Sequence, residues 1–264
     1  MKLRKLSIVV PTYNESENID KLLEETDKAL SGIPYEVIFV DDSTDSTPEL
    51  LAKKALEDER ICYEHRTGET GLATAVLRGF ELATGDYVAV MDADLQHPPT
   101  ILRPMYTAMC EGADMCIPSR FVPGGSDGGL NLYRKIVSGT ARYIGKIFLP
   151  CLHKISDPTS GLFMFRKEII KNADLRPIGW KIMIEVLAMS SYSLVIELPY
   201  IFQDRNAGES KLSTRVTLEY LKQVFCLIPR AVKNNTEVKI WSPNRLKSEI
   251  NKLDRFIERR TNKQ

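Results

Sequence analysis

The sequence predicts an α/β fold built on a mostly parallel central sheet with helices on both faces. Three observations carry this. Continuous β-branched and apolar runs mark strands buried on both faces. Amphipathic helical stretches alternate with them through the first half of the chain, as in βαβ units. Three of the strands run into polar clusters, Pro11–Asn14, Asp41–Ser46 and Asp92–Gln96, and ligands of such sheets bind beyond the carboxyl ends of the strands.

The elements are justified in chain order. Leu6–Val10 is a buried strand ending at Pro11, and Ser16–Leu30 an amphipathic helix. Tyr35–Val40 is a second strand, and Thr47–Glu57 a helix with Thr47 as N-cap and Pro48 in the first turn. Ile61–Glu64 is a short strand; Gly71–Ala83 is helical and Gly85 stops it. Asp86–Met91 is the next strand, Pro99–Glu111 a helix, and Ala113–Pro118 a strand that leads to the glycine-rich, mobile loop Pro123–Gly129. Leu130–Leu149 is a long helix, and the turn Asp157–Gly161 opens the strand Gly161–Arg166. Trp180–Ser190 is helical, Leu194–Ile201 a strand, Gln203–Lys211 a polar loop and Leu212–Ile228 an amphipathic helix. Residues 1–231 form the main domain. Val232–Pro243 reads as a linker, and Asn244–Arg260 as a helix with Leu246, Ile250, Leu253 and Ile257 along one side.

Composition narrows the function classes. The 264 residues carry a net charge of +1, which argues against an electrostatic nucleic-acid binder. The last 33 residues hold a net +5, so a basic tail follows an acidic body. The tail helix either lies on an anionic membrane surface or packs on the body. Five cysteines without a CxxC, mostly among apolar residues, read as reduced thiols of a cytosolic compartment. No run approaches the roughly 20 apolar residues of a membrane span, and the start MKLRKLSIVVP reads as a charged lead into a strand rather than a signal peptide.

Four constellations carry chemistry. In VMDADLQHPP, two carboxylates and an amide fall within five residues. Adjacent anions repel unless a cation sits between them, and Asp94 and Gln96 offer hard oxygen ligands for one. The alternative is a helix start capped by Asp94. In VDDSTDST, Asp41 and Asp42 either meet a nucleobase or ribose or build a turn. In PTYNES, Tyr13 either stacks on a base or belongs to a plain helix start. Arg120, Arg134, Arg205 and Lys211 are either surface residues or a phosphate-binding set. His97, pinned by Pro98 and Pro99, reads as structural, and Lys181 with Glu185 reads as an i,i+4 ion pair.

Taken together, VVPTYNESENI, FVDDSTDST, GLATAVLRGFELATGDYVAVMDADLQHPP, SRFVPGG, NLYRKIVS, DPTSGLFMFR, GWKIMIEVL and QDRNAGESKL resemble the family-2 inverting glycosyltransferases of the GT-A fold. Within them they are similar to the dolichol-phosphate mannose synthase group. The resemblance runs in order from Ile8 to Leu212. VDDSTDST is one residue shorter than the common family form, and the transmembrane helices that many relatives carry after the catalytic domain do not follow.

The resemblance implies a metal-dependent transfer of mannose from GDP-mannose to dolichyl or another polyprenyl phosphate. It places the reaction at the cytosolic face of a membrane, with or without an anchoring partner. Pro11, Tyr13, Glu15, Val40 and Asp42 would line the nucleoside pocket, with Asp92 by the donor sugar or ribose. Asp94 and Gln96 would hold Mg²⁺ or Mn²⁺. Arg120, Arg134 and Ser138 would bind the acceptor phosphate, Arg205 and Lys211 a phosphate from the opposite loop, and Asp157 and Glu185 would lie near the sugar. The open alternatives are UDP-glucose or UDP-GlcNAc as donor, a saccharide acceptor, or a non-catalytic subunit that binds nucleotide sugars. The absence of GxGxxG after the first strand argues against a dinucleotide-binding oxidoreductase.

Overall fold

The computed structural model describes residues 2–68, 70–129, 132–202 and 214–262, and of residues 132–138 and 214–215 the backbone alone. The strands are β1 (Leu6–Thr12), β2 (Tyr35–Asp41), β3 (Ile61–His65), β4 (Tyr87–Val90), β5 (Met115–Ser119), β6 (Phe163–Arg166), β7 (Leu194–Pro199) and β8 (Glu237–Ile240). The helices are α1 (Ser16–Ala29), α2 (Thr47–Glu57), α3 (Leu72–Leu82), α4 (Leu102–Cys110), α5 (Leu132–Phe148), α6 (Ile182–Met189), α7 (Thr214–Leu227) and α8 (Pro243–Thr261). One sheet runs β3-β2-β1-β4-β6-β5-β7-β8. Among the described strands only β6 is antiparallel to its neighbours. Two hydrophobic clusters fill the structure, and every residue of β1 and β4 is buried, which is why those strands read as unbroken apolar runs.

The sheet opens where its winding reverses. From β1 the chain proceeds outward through β2 and β3, then crosses back so that β4 pairs on the other side of β1. The β1–β4 ladder ends at Val9 opposite Val90, whereas β1 and β2 stay paired to Thr12 opposite Asp41. Pro11, lacking an N–H, lies beyond the last β4 pairing, so no ladder bond is lost there. The crevice between β1 and β4 is the topological switch point where ligands of such sheets bind.

Several expectations need correction. Helix α2 begins at Thr47 with Ser46 as N-cap, and the free Thr47 N–H donates to Asp45 Oδ1 at 3.0 Å. Gly85 does not end α3; a Cβ there would stand 2.6 Å from the Lys5 carbonyl, so its requirement is close approach. Residues 99–111 split into a 3₁₀ turn (Pro99–Ile101) and α4. The loop after β5, expected to be mobile, is tied down: Ser126 N–H donates to the Tyr200 carbonyl and Phe202 N–H to the Ser126 carbonyl, both at 3.0 Å.

The largest correction concerns the supposed linker. It contains β8, which pairs in parallel with β7. Helix α8 then packs on α4, with Leu253 fully buried, Leu246 and Ile257 against the core, and Arg103 paired to Asp254. The apolar stripe of the tail is therefore covered by the body. No helix among the described residues is long and apolar enough to cross a membrane.

Candidate active site

The nucleoside side of the crevice is built from the ends of β1 and β2. Pro11 lies opposite Val40, and Tyr13 beyond them is 51% exposed. The next residue, Asn14, adopts a left-handed backbone (φ 58°). Its N–H donates to Ser43 Oγ at 2.7 Å and its Oδ1 accepts from Thr44 N–H at 2.9 Å, locking the two loops together. Glu15 N–H donates to Thr47 Oγ1 at 3.1 Å, and Glu15 Oε2 accepts from Asn18 at 2.7 Å. Pro11, Tyr13, Glu15, Val40 and Asp42 thus come from two adjoining strand ends.

The two aspartates of β2 differ. Asp41 is fully buried, holding Ser43 Oγ and His65 Nδ1 (2.8 Å) inside the fold. Asp42 is gripped by Arg66, Nε to Oδ1 at 2.8 Å and Nη2 to Oδ2 at 2.6 Å, and also accepts from Gly71 N–H at 2.7 Å. Bidentate arginine–carboxylate bonding fixes orientation as well as charge. Arg66 also reaches Thr74, fastening the loop after β3 to this side of the crevice. Sequence reasoning missed Arg66, whose partner Asp42 lies 24 residues away on a different strand end.

Across the crevice, β4 runs into Asp92-Ala93-Asp94. Asp94 does not cap a helix. Its Oδ1 accepts from Gln96 N–H at 3.1 Å in a tight turn, with the intervening Leu95 left-handed at φ 59°. That backbone is rare for a bulky residue and costs about 1–3 kcal/mol where it persists. Asp92, Asp94 and Gln96 are all partly exposed at the rim. Among the described residues no group of three or more His, Cys, Asp or Glu is placed to hold a metal alone. A short set of hard oxygen donors fits a cation such as Mg²⁺, which commonly takes one or two carboxylates and completes its shell with water and substrate phosphate.

The third wall converges on the turn Ser156–Gly161, which precedes β6. Arg120, just after β5, binds Asp157 bidentately, Nε to Oδ2 at 2.7 Å and Nη2 to Oδ1 at 3.0 Å, with side chains 10% and 0% exposed. Burial opposes the Arg120 charge, but the bond to Asp157 outweighs it and raises the guanidinium pKa. Lys181 donates to the Thr159 carbonyl at 2.9 Å. A Cβ on Gly161 would stand 2.8 Å from Asp92 Oδ2, so a larger residue there would push the Asp92 carboxylate aside.

Beneath the turn, fully buried Glu197 of β7 accepts from Ser156 N–H and Oγ–H, both at 2.8 Å, and more distantly from Asp157 N–H. Burial raises its pKa despite those bonds. His97 stacks on Tyr200, which bonds its Nδ1 at 3.0 Å. Burial, then the nearby Arg120, pushes His97 down to about 3, so it stays neutral at physiological pH, in keeping with the structural role expected of it.

The expected Lys181–Glu185 pair does not form. Glu185 is buried and instead accepts from Arg176 N–H at 2.8 Å, lies 3.4 Å from Arg230 and meets Gln223, tying α6 to α7. Arg134 and Ser138 lie on α5 with side chains outside the described residues; Arg205 and Lys211 lie outside them altogether.

The crevice at the switch point, the place where α/β enzymes of this topology bind their ligands, is flanked by two carboxylates, Asp92 and Asp94, and by the partly buried cations Arg120 and Lys181. Residues 7–173 match the Glycosyl transferase family 2, and the chain belongs to that family. It is 42% identical to the dolichol-phosphate mannosyltransferase of Pyrococcus furiosus over 85% of this chain and 64% of that protein. It is 36% identical to the enzyme of the same name from Saccharomyces cerevisiae, over 83% of this chain and 85% of that one. With the polyprenol monophosphomannose synthase of Mycolicibacterium smegmatis it shares 35% identity over 78% of this chain and 80% of that one.

Among solved structures it resembles the glucosyl-3-phosphoglycerate synthase of Mycobacterium tuberculosis bound to Mn²⁺, UDP and glucosyl-3-phosphoglycerate. The TM-score is 0.63 at 18% identity, covering 86% of this chain and 80% of that one. The same enzyme with Mg²⁺ and UDP gives 0.62 at 17% identity, over 86% and 79%. The fold is the GT-A type.

Proposed function

We propose that this chain transfers mannose from GDP-mannose to dolichyl or another polyprenyl phosphate, with inversion at the anomeric carbon. The observation that carries the reading is the pairing of an oxygen-rich rim (Asp92, Asp94 and the amide of Gln96) with partly buried Arg120 at one crevice, supported by the names of the relatives.

Chemistry assigns the roles. A phosphate monoester has a second pKa of about 6, so the acceptor is already an anionic nucleophile near neutral pH. No general base is required, and neutral His97 is not asked to act as one. An acceptor phosphate oxygen bonds to the anomeric carbon as the bond from that carbon to the diphosphate oxygen breaks, and the electron pair leaves with GDP. Arg120, oriented by Asp157, holds the acceptor phosphate, and Arg134 and Ser138 on α5 are assigned to the same group. Pro11, Tyr13, Glu15, Val40 and Asp42 hold the nucleoside, with Asp42 oriented by Arg66. Asp92 approaches the sugar, and Arg205 and Lys211 meet phosphate from the opposite loop. Asp94 and Gln96 would hold Mg²⁺ or Mn²⁺, which supplies Lewis-acid stabilisation of the departing diphosphate.

The lipid acceptor requires contact with the cytosolic leaflet. With the tail stripe covered, the face that supports peripheral contact is formed by α5 and α7. Tyr143, Ile147, Phe148, Leu218 and Phe225 are exposed there, and the Phe148 and Phe225 rings lie 5.4 Å apart. Helix α5 carries Arg134, Lys135, Arg142 and Lys146 and no acidic residue. Arg142 stacks 4.1 Å over Phe121, next to Arg120, so this face borders the acceptor side.

The test is transfer itself. Protein, Mg²⁺ and a short polyprenyl phosphate are incubated with radiolabelled GDP-mannose, UDP-glucose or UDP-GlcNAc. Organic-phase label with GDP-mannose alone, abolished by EDTA, is expected. Label from a UDP-sugar instead refutes the donor, and no label from any donor refutes the reaction.

A further inference from the structure

Lys181 sits where electrostatics disfavours a cation. It is the N-cap residue of α6, at the positive end of the helix dipole. It is partly buried, and Arg120 is a like-charged neighbour. Among the described residues its ammonium makes one hydrogen bond, to the Thr159 carbonyl, although it carries three donors. Burial first and Arg120 second lower its pKa, with Asp157 and Asp92 opposing. The neighbours that set its charge are thus the residues of the crevice itself, and the Thr159 bond anchors it on the turn that orients Arg120. Placements that oppose stability tend to mark function.

We propose that Lys181 binds a phosphate group of the substrates, forming with Arg120 a two-cation cradle on either side of the Asp157 turn. One N–H is fixed by Thr159, and the other two donate to phosphate oxygens. Asp157 keeps the two cations from repelling one another before the ligand arrives. The phosphate is that of the acceptor or of the nucleotide, and this identification rests on the transfer reading above.

The experiment compares the full chain with Lys181→Met and Lys181→Arg. Calorimetry in Mg²⁺ measures binding of GDP and, separately, of a short polyprenyl phosphate; thermal melting is followed alongside. Lys181→Met is expected to weaken one ligand by tenfold or more and leave the other within twofold. Its Tm should be unchanged or higher, because a desolvated cation has been removed. Lys181→Arg should recover part of the affinity. Selective loss of polyprenyl phosphate places Lys181 on the acceptor, and selective loss of GDP on the donor diphosphate. Both affinities within twofold of wild type overturn the proposal, as does equal weakening of both with a lowered Tm. Wild-type protein that binds GDP but no polyprenyl phosphate refutes the transfer reading, while the GDP arm still decides Lys181. Wild-type protein that binds neither refutes both.

Discussion

The two halves of the sheet deliver residues to the crevice by opposite routes. In the half built from β1 to β4 all strands are parallel, so each motif C-terminal to an apolar run arrives at the same rim. In the other half β6 runs antiparallel between β4 and β5. There the turn Ser156–Gly161, on the N-terminal side of the strand, meets the rim. Arg166 and Lys167, on its C-terminal side, lie at the far end and line a cavity of about 840 Å³ remote from Asp92 and Arg120. One reversed strand exchanges which flank of a motif is functional. The first half supplies an acidic rim from strand ends, and the second a cradle whose parts are held indirectly through the turn.

This contrast predicts that a change on the acidic rim acts directly and strongly. Asp94→Asn keeps the turn to Gln96, since an amide oxygen also accepts a hydrogen bond, but loses the charge facing a cation. Turnover at saturating Mg²⁺ is expected to fall by about 10²–10³, the scale seen when one preorganised electrostatic group is removed, with Tm within a degree or two. A rate near wild type would show that this carboxylate is not a metal ligand.

In the second half the strongest indirect effect is expected at Glu197. Glu197→Gln leaves one acceptor where the carboxylate served Ser156 twice and Asp157 once. Loss of a buried charge-assisted bond costs about 1–3 kcal/mol. The turn should loosen, so hydrogen exchange at Ser156 and Asp157 rises while β5 stays protected. Acceptor KM should rise about tenfold, equivalent to about 1.4 kcal/mol, with donor KM within twofold. Equal changes in both would make Glu197 a general stability residue and break the proposed chain from Glu197 through Asp157 to Arg120.

The same contrast explains what the sequence disclosed. The parallel half was legible because an apolar run followed by polar residues there has one structural meaning, and VDDSTDST and DADLQ fell on the rim as expected. Long-range partnerships were not legible. Nothing local announces that Arg66 grips Asp42, that Glu197 underlies Asp157, or that Lys181 turns towards Thr159 instead of Glu185. Strand β8 was missed because Glu237-Val238-Lys239-Ile240 is a four-residue edge strand, exposed at Glu237 and Ile240 and too short for its alternation to stand out. The tail stripe was legible as amphipathic, but periodicity cannot say what covers an apolar face; here α4 does.

The smallest expected effect separates two basic, amphipathic regions, α8 and the α5–α7 face. Ile147→Asp and Phe225→Asp place charge on exposed positions, 71% and 55% accessible, so neither should disturb the core. Each should reduce sedimentation with anionic vesicles several-fold, because apolar insertion is lost and a basic side chain near an anionic leaflet contributes only about 1 kcal/mol. Leu253→Asp, by contrast, buries a charge against the core and should lower Tm sharply. Vesicle binding that survives Ile147→Asp and Phe225→Asp but disappears when Lys247, Lys252 and Arg255 are neutralised would return the membrane face to α8. The crevice would then have to meet the lipid from the face of the sheet that α4 and α8 cover, opposite the face of α5 and α7.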